Sequence, residues 1–162
     1  MINLREIRNA VVFYIDDRVK STFKISPIAG QNDINPGEKF NIELKVTNAA
    51  GNPDQAIELI NLRYRLEMKD SAVAKLIVPS KAVGTVPGKQ EGDEVAVMTL
   101  TLKPNNDRLL EGETQTLTLK GKALAKGKTD LTFDVLADPD LNYLFPKSTS
   151  TVDFTAKVNV EN

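Results

Sequence analysis

Apolar and polar residues alternate with a period of two along most of the chain, most clearly over residues 39–47. There Phe40, Ile42, Leu44 and Val46 fall on one side, and Lys39, Asn41, Glu43, Lys45 and Thr47 on the other. Side chains of an extended strand point alternately to its two faces, so the run predicts a strand with one face buried and one in water. The same reading gives inward sets at Val19, Phe23 and Ile25, at Ile60, Leu62, Tyr64, Leu66 and Met68, and at Ala96, Met98, Leu100 and Leu102. Further along it gives Leu117 and Leu119, then Leu131, Phe133 and Val135, then Val152, Phe154, Ala156, Val158 and Val160.

Clusters with turn chemistry separate these runs, among them Asn35-Pro36-Gly37, Gly51-Asn52-Pro53-Asp54, Pro87-Gly88, Pro104-Asn105-Asn106-Asp107 and Lys126-Gly127-Lys128. Only residues 3–10 offer a weak helical candidate, and no crossover helix connects the runs. About eight or nine short strands, each with one apolar face, predict an all-β fold: a two-sheet antiparallel β-sandwich of the immunoglobulin-like kind.

The run Asn35-Pro36-Gly37-Glu38-Lys39-Phe40-Asn41-Ile42-Glu43-Leu44-Lys45-Val46-Thr47-Asn48 resembles the opening of bacterial immunoglobulin-like domains of the cell-adhesion-related (CARDB-like) type. The resemblance covers residues 35–48. It implies the same sandwich fold and, less directly, an adhesion-like role.

Composition bounds the rest. With 162 residues, 41% hydrophobic and 27% charged, the chain is long enough for one core and ordinary enough to fold, so a single domain over residues 1–162 is expected. Its net charge of −1 is spread along the length, leaving no basic stripe for nucleic acid or an anionic membrane. No apolar stretch approaches the roughly 18 residues of a membrane span. Arg5 and Arg8 precede an apolar run at 10–15, but that run is shorter than a signal-peptide core and ends at Asp16-Asp17. A soluble chain without a signal peptide is expected, with its compartment left open.

Histidine and cysteine are both absent, which removes Ser-His-Asp and Cys-His nucleophiles and the usual zinc sites together. The remaining candidates are weak. Glu43 and Glu67 fall on solvent faces, and nothing pairs them with another carboxylate for sugar hydrolysis. Ser71 with Lys75, and Ser80 beside Lys81, have no helical setting or oxyanion partner. Gly127-Lys128-Thr129 resembles the end of a phosphate loop, yet position 122 is Lys where that motif needs Gly, and a strand follows where it needs a helix. A tight hairpin turn explains Gly127 better. Asp138, Asp140 and Asn142 space their oxygens as a calcium loop begins, but Tyr143 stands in place of the required Gly and Thr149 in place of the bidentate Glu. These three are the calcium candidates for a looser loop site; otherwise no cofactor is expected.

Two apolar features point to contact with another protein. Residues 10–15 (Ala-Val-Val-Phe-Tyr-Ile) are apolar on both faces, which fits a strand covered on both sides, as at a subunit contact. Residues 141–146 carry more apolar surface than a connection needs. The interaction candidates are therefore Val11, Phe13 and Ile15 in the first segment and Leu141, Tyr143, Leu144 and Phe145 in the second. Threonines 114, 116 and 118 read as an ordinary exposed strand face. The expected function is a non-catalytic protein-interaction or assembly module, adhesion-like or a particle subunit, that binds a protein partner or itself. The alternative is a carbohydrate-binding module, disfavoured because there is no Trp and few Tyr to stack on sugar rings.

Overall fold

The computed structural model describes residues 19–49, 58–110, 112–139 and 150–161, with side chains for all of these except 137–139 and 150–156. The described residues form no helix and ten strands: β1 (Val19–Pro27), β2 (Lys39–Asn48), β3 (Leu59–Met68), β4 (Ala74–Ile77), β5 (Gly84–Thr85), β6 (Glu94–Val95), β7 (Val97–Leu102), β8 (Thr114–Ala123), β9 (Gly127–Pro139) and β10 (Ser150–Val160). One sheet runs β1-β2-β8-β4-β6 and the other β10-β9-β3-β7-β5, and every strand pairing is antiparallel. This is the expected immunoglobulin-like sandwich. Two of its strands are only two residues long and show no alternation of their own, which accounts for the larger strand number.

Alternation sets the core as expected. Phe40, Ile42, Leu44 and Val46 of β2 are buried, and so are Leu131, Phe133 and Val135 of β9. The sheets meet through an aromatic cluster. Phe133 lies 5.5 Å from Phe23 of β1 and 5.3 Å, edge to face, from Tyr64 of β3, a geometry that favours the ring quadrupoles.

Three expectations are corrected. On β3 the buried residue is Leu59, and Ile60 is partly exposed, because the register with β9 shifts between Ile60 and Arg63. Asn61 there has φ 54°, and this bulge restores the inward phase at Leu62. At β7, Ala96 lies on the bend before the strand, and Val95 is buried in its place. Gly127 does not sit in a hairpin. β8 belongs to one sheet and β9 to the other, so the connection before Gly127 arches across the end of the sandwich.

The departure of β4 shapes the surface most. It pairs with β8 only at residues 120–123, and the chain then crosses to the opposite sheet, where Gly84 and Thr85 pair with Leu102 and Thr101. Along 114–119 that side of β8 has no strand partner among the described residues.

Candidate groove at the open edge of β8

Where β4 leaves its sheet, a groove of about 450 Å³ opens between the first half of β8 and the β4–β5 crossing. Val83, Leu102, Leu109 and Leu117 supply its apolar lining. Leu102 and Leu109 are buried, while Val83 and Leu117 are partly exposed and pack against the core. Among the described residues, the groove is thus a place where the apolar interior comes to the surface.

Hydrogen bonds fix its polar end. The buried Tyr64 hydroxyl donates to Gln115 Oε1, and Gln115 Nε2 donates to the Asn106 carbonyl at 2.6 Å. The connection before β8 is held by Asn48, whose Nδ2 donates to the Leu109 carbonyl at 3.0 Å, and by the paired backbone of Leu59 and Leu109. Glu113 Oε1 accepts from the Leu110 amide at 2.7 Å, and Arg108 Nε donates to Glu58 Oε1 at 2.6 Å. Both titratable residues on the groove wall are therefore engaged in holding the loop. What the groove presents is a strand edge over an apolar floor.

Burial pushes the Tyr64 hydroxyl above its ordinary range. The unfolded chain releases this proton near pH 10 while the folded chain keeps it. The stabilisation is therefore complete below pH 10 and is lost as pH rises above it, at up to about 1.4 kcal/mol per pH unit. Tyr64→Phe is expected to cost about 1 kcal/mol near neutrality through the lost hydrogen bond. It should also flatten the alkaline fall relative to wild type, as measured by urea unfolding at pH 9 and 11.

The sequence candidates Val11, Phe13, Ile15, Leu141, Tyr143, Leu144 and Phe145, and with them Asp140 and Asn142, lie outside the described residues. So do the helical candidate at 3–10 and the segment at 51–54. Asp138 is on β9, its backbone opposite Ile60, at a position whose side chain is not described. Among the described residues no group of three or more Asp or Glu is placed to hold a metal ion, and no helix is long and apolar enough to cross a membrane. The groove was missed in the sequence. Two signals mark it: Gln115, a polar residue in the inward phase of Leu117 and Leu119, and Pro79, which stops the β4 run early.

No protein-family model matches the chain, and no curated protein matches it. Solved structures do. The full-length major pilin SpaD of Corynebacterium diphtheriae is similar at a TM-score of 0.52 and 14% identity over 86% of this chain, which spans 34% of that pilin's length. A structure of domains D2 and D3 of the same pilin matches at a TM-score of 0.45 and 19% identity, covering 86% of this chain and 50% of that one. The C-terminal domain of the AgI/II polypeptide BspA of Streptococcus agalactiae matches at 0.47 and 9%, covering 87% and 50%. The likeness to the full-length pilin shows that the chain has the fold of an immunoglobulin-like sandwich domain.

Proposed function

We propose that residues 1–162 form a single non-catalytic module that joins proteins by accepting an extended segment of a partner along the open edge of β8. The observation that carries this reading is the side of residues 114–119 that pairs with no strand among the described residues, beside the apolar groove. Strand addition draws affinity from backbone hydrogen bonds and specificity from alternate side chains seated in pockets. The other edges suit it less. β1 carries the exposed lysines Lys20 and Lys24 and lies against β10, and β5 and β6 are two residues long; charge and brevity both discourage edge pairing. A fold shared with a major pilin is in keeping with an assembly role, as is the cell-adhesion-related type that residues 35–48 resemble. Leu141, Tyr143, Leu144 and Phe145 are retained in this reading as a further contact patch.

Panning a displayed library of random nine-residue peptides on the folded chain tests the reading. Enriched peptides should alternate apolar and polar residues and should lose binding when Val83→Glu places a charge in the groove. Binders indifferent to Val83→Glu, or none at all, would overturn it.

A further inference from the structure

Resting on that reading, we infer that the segment the groove accepts is residues 10–15 of a second copy of this chain, running antiparallel to β8 in the place β4 vacates. The stretch of β8 with no partner on that side among the described residues, 114–119, is six residues long, and so is the segment, the one run in the sequence that is apolar on both faces. Docked in this way, Val11, Phe13 and Ile15 fall on one side of the added strand, toward Val83, Leu102 and Leu117. Ala10, Val12 and Tyr14 fall on the other, at the seam between copies.

Strand spacing argues for a second copy over the chain's own segment. Val19 pairs with Asn48 and Thr47 with Thr114, so β1 begins at the end of the sheet where β8 begins. The vacant position lies three strands from β1, about 14 Å away at roughly 4.8 Å per strand. Ile15 and Val19 are four residues apart, a reach of about 14 Å only at full extension. The straight path is occupied, since Asn48 exchanges backbone hydrogen bonds with Gly112 and Glu113 across that end. A neighbouring copy meets no such restriction. Because each copy then offers one donor and one acceptor, two copies can close on each other by reciprocal exchange, or more can join as rings or chains.

Light scattering of the full chain over a range of concentrations tests this. The wild type should self-associate, as an exchanged dimer or a larger assembly. Phe13→Asp, which spoils the donor, and Val83→Glu, which spoils the acceptor, should each raise the concentration needed by at least about 30-fold. An equimolar mixture of the two variants should stop at a dimer, because it keeps one sound donor and one sound acceptor. Thr116→Pro provides a second acceptor variant, and a cooperative thermal melt confirms that each variant is folded. A strictly monomeric wild type, or assembly that survives Phe13→Asp, would overturn the inference. So would a monomer in which exchange at 114–119 is slow and Phe13→Asp speeds it, since the segment would then fill its own groove. If library-selected peptides still bind in a Val83-dependent way, only the identity of the strand has failed; if they do not, the reading of the groove has failed as well.

Discussion

Phe133→Ala is expected to lower the unfolding free energy by about 3–5 kcal/mol, the range for deleting a buried ring when the surroundings cannot close the cavity. Phe133 is fully buried on β9 and touches both Phe23 of the facing sheet and Tyr64 of the neighbouring strand. Its loss removes one face of two aromatic contacts together with the apolar area. Collapse is opposed on each side by a paired strand, since β9 is hydrogen bonded to both β10 and β3. Against a total stability of 5–15 kcal/mol typical of folded chains, this is a large share. In a chain of this size it corresponds to a fall in Tm of roughly 10 °C or more. Differential scanning calorimetry checks it, and a loss below about 1 kcal/mol would mean that Phe133 does not hold the sheets together.

Gly121→Ala has the second largest expected effect, and its cause is the opposite one. Gly121 stands across from Phe40 in the β2–β8 register, and the tip of the Phe40 ring occupies the space a side chain at 121 would need. A methyl group there would meet three atoms of the ring, with Cε1 at 2.8 Å the farthest of them. Phe40 is fully buried, so the ring cannot swing out to solvent, and the backbone or the ring must shift against packed neighbours. Overpacking of this kind costs about 1–3 kcal/mol, and the absence of an escape route places this case near the upper end. Phe40→Leu in the same chain should recover part of the loss. A double-mutant cycle by urea unfolding is expected to give a coupling of at least about 1 kcal/mol; additive costs would contradict the contact.

Phe40 and Gly121 also illustrate what the sequence makes legible. Phe40 is visible as an inward residue because the alternation of 39–47 is set by one buried face, a local property of each strand. Gly121 is not, because its role depends on which strand lies beside it, and β2 ends at Asn48 while β8 begins only at Thr114, so tertiary pairing alone brings them together. The same distinction explains the bulge at Asn61. A single residue with left-handed backbone inverts the phase of everything before it, so Leu59 and Leu62 are both inward although three positions apart. The fold class follows from many such local patterns acting together, and it tolerates a slip in one of them.

The groove was hidden for a related reason. No residue in it has unusual chemistry, and it exists because β4 ends at Ile77 while β8 extends over 114–119 with no further strand beside it among the described residues. That mismatch in strand length between partners distant in sequence leaves only faint marks in either segment, of which Gln115 in an inward position is one. The apolar segment at 10–15 was legible from its two-sided pattern. A run with no polar face and an edge with no neighbour among the described residues are complementary.

Hydrogen exchange at single-amide resolution, with and without a saturating strand peptide selected on the groove, tests the central claim most directly. Amides within 114–119 should exchange at least about tenfold more slowly when the peptide is bound, as a newly paired edge requires, while those of β1 over 19–27 keep their rates. Protection that appears along β1 or β10 and leaves 114–119 unchanged would contradict the assignment of the β8 edge as the docking surface.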